Sequence, residues 1–239
     1  MKPKGAFPGD SAAEDQEPCR PEAGKGSSQD FRLRMAIDFA VTGDLRFCSH
    51  QEMMRMLTRS CVRAELPLRY TSGFNPHPRL SLPLPKPVGI ASEAERLVLE
   101  LSEPIEIEEV MNRLQAVLPE GVVLESARKL ESNKGPVASQ VTYTASLEHV
   151  NHAEVSRKAA ELMKFEPIPY RREIHGQTQP REIDLRPYID AIRVEADQVW
   201  FTLNVTPGGT AKPAEICDVL GVGKTHVNHL ICRRAVTWI

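Results

Sequence analysis

The sequence predicts an α+β fold made of two ferredoxin-like (βαββαβ) modules in tandem. Three observations predict it. Over residues 31–130 the hydrophobic spacing alternates between strand and helix periods, in the order β-α-β, a loop or strand, then β-α-β. The same order returns over residues 140–239, without evident sequence identity between the halves. A hydrophilic connector, "ESNKGPVAS" (131–139), separates them.

The elements follow in order. "FRLRMAIDFAV" (31–41) alternates and is β-prone, and "TGD" (42–44) is turn chemistry. "SHQE" (49–52) reads as a capping box, with Ser49 as cap and Glu52 reaching back. The helix it opens runs to about Ala64 and places Met53, Leu57 and Cys61 on one face. "LPLRYT" (66–71) reads as a strand. "SGFNPHPRLSLPLP" (72–85) reads as an ordered loop running into an irregular or edge strand, because its four prolines lack donors and its leucines alternate. "ERLVLELSE" (95–103) is strand, "IEEVMNRLQAVLP" (107–119) amphipathic helix, and "VVLESARKL" (122–130) strand. In the second half, "QVTYTASL" (140–147) is strand and "HAEVSRKAAELMK" (152–164) helix. "PIPYRRE" (167–173) is a short strand. "REIDLRPYIDAIRVEADQVWFTLNVT" (181–206) holds paired strands turning near Glu195–Gln198. "PAEICDVLGV" (213–222) is a short helix ending at Gly221, and "RRAVTWI" (233–239) closes as strand. Residues 1–30 are rich in Gly, Pro, Ser and acidic residues and are expected to be a disordered tail.

Composition bounds the function. The 239 residues are 41% hydrophobic and 26% charged, which suits one or two soluble domains. No apolar window of membrane-spanning length exists, and the N-terminus has no signal-peptide core. The five cysteines, Cys19, Cys48, Cys61, Cys217 and Cys232, have no zinc or iron–sulfur spacing. Their odd number favours reduced thiols and a cytoplasmic protein. The net charge of −2 hides a segregation. Residues 45–87 carry seven basic and two acidic side chains, net +5, whereas residues 93–125 carry nine Glu and two Arg, net −7.

Within the basic segment, Arg55, Arg59 and Arg63 form a stripe about 200° around the helix from Met53, Leu57 and Cys61, so it points outward. With Arg46, such a face suits phosphate contacts; a solvated helix face is the plain alternative. In the loop that follows, Tyr70, Phe74 and His77 can stack on or bond an unpaired base, and Arg69 and Arg79 can hold its backbone. Asn75 is extended before Pro76, and Gly73 permits positive φ. The competing reading makes the loop a packing corner, with Phe74 and the leucines plugging the core. His50 and His77 are candidate acid/base groups for RNA cleavage, and Cys48 would join them in a metal site. In the second half, Arg171, Arg172, Arg181 and Arg186 cluster in sequence, and are either RNA contacts or interstrand ion pairs. Gly208 and Gly209 precede a helix expected to be capped near Thr210, where free amides and Lys212 would hold an anion. "GVGKT" (221–225) is not a P-loop, since position 218 is Asp rather than Gly and the segment follows a helix.

Four separated motifs, "TGDLRFCSHQEMMRML", "LPLRYTSGFNPHPRLSLPLPKPVGIASEAE", "REIDLRPYI" and "GGTAKPAEI", together resemble the radical-SAM-linked family known as the DUF2344 domain, over roughly residues 31–239. The resemblance implies a link to a radical-SAM protein with a cobalamin-binding region, adjacent or fused, and implies no activity for this domain. Cys48 stands where the family leads one to expect a leucine-like residue. The chain lacks the cysteine triplet that would hold a radical-SAM cluster. The expectation is therefore a non-catalytic accessory protein without a cofactor, binding tRNA or rRNA for modification. Two alternatives are a metal-independent endoribonuclease of tandem ferredoxin-like modules, and an adaptor that binds the radical-SAM protein through the acidic 93–125 segment.

Overall fold

The computed structural model describes residues 31–148, 150–164, 166–173, 176, 179–222 and 231–239. The expected tail (1–30) and most of the GVGKT segment (223–225) lie outside the described residues. The fold is mixed α+β, with four α-helices among the described residues and one large mixed sheet.

The elements are β1 (Leu33–Val41), α1 (His50–Arg63), β2 (Leu80–Ser81), β3 (Ala91–Leu101), α2 (Ile107–Gln115), β4 (Val122–Lys129), β5 (Ala138–Ser146), α3 (His152–Leu162), β6 (Pro169–Arg172), β7 (Arg181–Asp184), β8 (Ile189–Glu195), β9 (Gln198–Asn204), α4 (Pro213–Leu220) and β10 (Ile231–Trp238). The large sheet runs β4-β1-β3-β10-β5-β9-β8, with β2 also pairing with β3. Its neighbours are antiparallel except β10 and β3, which run parallel through Cys232↔Ala91 and Arg233↔Ser92. The two halves thus share one continuous sheet. β6 and β7 form a separate two-stranded ribbon.

Local chemistry accounts for the placement of α1. Ser49 Oγ accepts the Glu52 amide and Glu52 Oε2 accepts the Ser49 amide (2.8 Å), the capping box expected from SHQE. Met53, Leu57 and Cys61 are buried against β1, β3 and α2 residues in one apolar cluster. A second cluster gathers β5, β9, α3 and α4 around Tyr143, Phe201 and Ile216. Ile231 and Arg233 share one face of β10, and Glu95 and Leu97 one face of β3. Arg233 meets Glu95, so both clusters lie on the same side of the sheet. The turn into β4 requires Gly121: its φ is +92°, and a Cβ there would stand 2.9 Å from the Thr42 carbonyl oxygen.

Several boundaries differ from the sequence expectation. Residues 66–71 form no continuous strand; Leu68 bridges Leu101 of β3, Tyr70 bridges Pro78, and only Leu80–Ser81 pairs with β3 as a strand. Pro67, Pro76 and Pro78 supply no amide, so the ladder cannot extend. β3 begins at Ala91 rather than residue 95, and β5 begins at Ala138, inside the expected connector.

Candidate nucleic-acid interface

The exposed face of α1 carries Arg55, Arg59 and Arg63, all open to solvent, as the helical spacing requires. None of the three makes an ion pair or a side-chain hydrogen bond among the described residues. They border an open groove of about 540 Å³ whose far wall is Val117 and Pro119, beyond α2. Glu52 stands at one end; hydrogen bonds from Ser49 hold its carboxyl below the ordinary value. Arg46 lies apart from this stripe, its guanidinium 4.8 Å from the Phe47 ring centre.

The stretch after α1 is a hairpin. Thr71 N donates to His77 O (2.8 Å), His77 N to Thr71 Oγ1 (3.0 Å), and Arg79 N to Arg69 O (2.8 Å). Its root meets β3 through Arg69 N to Glu100 O (2.8 Å) and Glu100 N to Arg79 O (3.0 Å). Gly73 at the tip has φ +130°. Phe74 is fully exposed at 106%, and Tyr70 is 46% exposed. The packing-corner reading of Phe74 is therefore corrected: the hairpin carries the ring away from the core. Asn75 and His77 are exposed beside it.

His50 opens α1 and His77 stands on the hairpin. His50 lines a water-sized enclosed cavity with Cys48, Lys86 and Glu95, and its Nδ1 is buried without a partner. The acid/base pair required by the nuclease reading is split between two elements. Among the described residues no three His, Cys, Asp or Glu side chains stand close enough to hold a metal ion.

The second-half arginines are dispersed. Arg172 forms a two-pronged pair with buried Glu215 (2.6 and 2.7 Å) and also donates to Thr210 O. Arg186 donates to the carbonyls of Lys164 (2.9 Å) and Ile189 (2.7 Å). Both are structural ties rather than free contacts. Arg171 faces Glu182 at 3.4 Å with both side chains open to solvent, and Arg181 is exposed. The expected anion nest at Gly208–Gly209 is not formed. Gly209 N donates to Thr206 O (2.9 Å) and its carbonyl accepts Thr206 N (2.9 Å), a closed turn upstream of α4. The helix starts at Pro213, not near Thr210, and Glu215 Oε2 accepts the Lys212 amide (2.8 Å). Proline at the first helical position accounts for the later start. Between this helix end and β6 lies a polar cleft of about 310 Å³, where Tyr170 donates to Asp218 Oδ2 at 3.0 Å. Burial and that acceptor push the Tyr170 phenol up to about 12.

Sequence reasoning missed a buried ionic joint between the halves. Arg233 donates to Glu95 Oε1 (2.8 Å), to Pro85 O (3.0 Å) and to the Tyr143 hydroxyl (3.4 Å). Arg233 and Glu95 are 1% and 4% exposed. Lys86, also buried, donates to Arg46 O (2.6 Å) and Pro87 O (3.3 Å). Burial lowers its ammonium below the ordinary value, against the pull of Glu95. The signal available in sequence was a lysine between two prolines and an arginine at an inward position of a strand.

No helix among the described residues is long and apolar enough to cross a membrane. No curated protein matches the chain. Among solved structures, a chain of "Crystal Structure of a Cbf5-Nop10-Gar1 Complex" is similar at 12% identity and a TM-score of 0.44, over 84% of this chain and 48% of that one. This chain thus spans about half the length of that relative. A family model described as "Uncharacterized protein conserved in bacteria (DUF2344)" matches residues 34–214, and its description names no radical-SAM protein. With most of the described fold inside that match, the chain belongs to the DUF2344 family.

Proposed function

We propose that the protein binds RNA along the arginine face of α1 and acts as a non-catalytic accessory to a radical-SAM enzyme with a cobalamin-binding region, handling tRNA or rRNA for modification in the cytoplasm. The observation that carries the RNA reading is the groove beside Arg55, Arg59 and Arg63, three exposed guanidiniums that make no ion pair or side-chain hydrogen bond among the described residues. A guanidinium offers a planar fork that fits phosphate, and an uncommitted one needs no ion pair broken first. The radical-SAM link rests on the sequence motifs. Each half fits a ferredoxin-like module, since β4-β1-β3-β2 and β10-β5-β9-β8 give both halves the same antiparallel strand order.

The test is RNA binding by fluorescence anisotropy across a salt series. The wild-type affinity falls steeply with salt. Arg55→Glu/Arg59→Glu/Arg63→Glu weakens binding and flattens the single-strand salt slope by about 2, from ~0.7 per lost phosphate contact. Wild-type binding indifferent to salt, or a triple variant that binds as tightly as wild type, refutes the reading.

A protein-adaptor reading has its own support. Glu103, Glu106, Glu108, Glu120 and Glu125, on and around α2, are exposed, an acidic surface suited to a basic protein partner. Co-purification of the radical-SAM protein that survives nuclease favours it, and loss on nuclease treatment favours a bridge through RNA.

A further inference from the structure

The hairpin that follows α1 combines two features that the α1 face lacks. Its tip is uncharged: from Tyr70 to Pro78 there is no Asp, Glu, Lys or Arg. Its root is crowded with cations. Arg32 (2.6 Å), Arg34 (3.8 Å) and Arg79 (3.8 Å) converge on the single carboxylate of Glu100. Among the described residues, three guanidiniums against one carboxylate leave two positive charges unmatched. We propose that residues 68–81 form a clip for unpaired RNA, with Arg79 and the neighbouring Arg32 holding phosphate and Phe74 stacking on a base. The proposal rests on the RNA reading above and narrows it to single-stranded segments.

The geometry supports each part. Arg34 is committed, since it is buried and donates to the Ser132 and Lys134 carbonyls. Arg79 is not: its side chain is 40% exposed, its 3.8 Å approach to Glu100 is too long for a hydrogen bond, and it donates no side-chain hydrogen bond among the described residues. Arg32 is 34% exposed beside it. A phosphate entering there meets surplus charge and open donors. Phe74 lies at the tip, five residues from Arg79 and at most about 16 Å along the chain, so backbone contact and base contact are spaced along one projection. The tip is held before any ligand arrives, by the Thr71–His77 and Arg69–Arg79 hydrogen bonds and by Pro76 and Pro78. A backbone already ordered at the tip reduces the entropy lost when the ring stacks. In a duplex the bases are already stacked and their faces covered, so a projecting ring has no platform to join; unpaired bases do offer one.

The probe is a fluorescently labelled oligouridylate, compared with an RNA duplex of equal length. Phe74→Ala is expected to weaken oligouridylate binding about tenfold and to leave duplex binding unchanged. Phe74→Trp restores the affinity, and its added fluorescence is quenched on binding. Because Phe74 touches no core, the thermal midpoint of Phe74→Ala stays at the wild-type value. Arg79→Glu lowers the single-strand salt slope by about 0.7. If Phe74→Ala binds oligouridylate like wild type while the α1 triple variant has lost binding, the clip is wrong and the RNA reading stands. If Phe74→Ala weakens both probes equally, or instead abolishes only co-purification of a protein partner, the tip is not a base platform. If wild type binds neither probe, the RNA reading fails and the clip with it.

Discussion

Glu95→Gln tests the joint between the two halves of the sheet. Glu95 and Arg233 are 4% and 1% exposed, and their contact at 2.8 Å crosses from β3 to β10, where the sheet passes from one half to the other. The amide keeps the shape and removes the charge. Arg233 then retains Pro85 O and the Tyr143 hydroxyl, but no carboxylate, and its Nε already lacks a partner. Lys86 loses the neighbour that opposed its desolvation. Breaking a buried pair by neutralising one member costs about 3–5 kcal/mol, chiefly because a buried charge is left uncompensated. With a urea m-value of about 3 kcal/mol/M, a loss of about 4 kcal/mol lowers the unfolding midpoint by about 1.3 M. Urea titration followed by far-UV circular dichroism reads this directly. Replacing both members by apolar residues, Glu95→Leu with Arg233→Met, is expected to recover most of the loss, since well-packed apolar substitutes for a buried pair are often neutral. A midpoint shift in Glu95→Gln below about 0.3 M, corresponding to about 1 kcal/mol, would refute the reasoning. It would mean that water reaches the pair and screens it.

Two further predictions concern titrating groups. Burial raises the Asp38 carboxyl, but hydrogen bonds and charge from Arg96 (2.6 and 2.9 Å) and Arg128 (3.1 Å) outweigh it, and the net position is below the ordinary 3.8. Its stabilising contribution is full above that value and is lost as pH falls through the lowered one. Asp38→Asn should therefore show a shallower loss of urea midpoint below about pH 4 than wild type; parallel acid limbs would rule this out. Burial pushes the Cys61 and Cys217 thiols up to about 12. Both should resist a disulfide-exchange reagent at mildly alkaline pH until the protein unfolds, whereas half-buried Cys48 reacts in the native state. Peptide mapping distinguishes the sites, and rapid native labelling of Cys61 or Cys217 would show that the core is not packed around them.

Much of the secondary structure was legible because it is set by near neighbours. The SHQE capping box, the burial of Met53, Leu57 and Cys61, and the outward arginine stripe all follow from helical geometry over a few residues. The turn at Ala196–Asp197 between β8 and β9 falls where the alternation breaks. The candidate site was legible only in its local parts. Sequence proximity grouped Arg171, Arg172, Arg181 and Arg186, yet Arg172 pairs with Glu215, and Arg186 binds the carbonyls of Lys164 and Ile189. Nothing in the spacing of those arginines encodes which distant carboxylate or carbonyl will claim them. Phe74 could have been read as core or as contact, because a proline-rich stretch fixes the stiffness of a loop and not its direction.

By itself the sequence determined the helix of arginines, the stiff Gly/Pro segment that follows it, most of the order of strands and helices, and the separation of basic from acidic charge. These depend on backbone geometry and on interactions within a few turns. The tertiary structure alone decided that β10 joins β3 to make one sheet, that Arg233 and Glu95 meet 138 residues apart in sequence, and that Arg32, Arg34 and Arg79 converge on Glu100. It also decided that His50 and His77 stay apart. Such pairings are selected by the fit of whole layers against one another, through burial of apolar area and the satisfaction of buried charge, and those terms have no local signature in the chain.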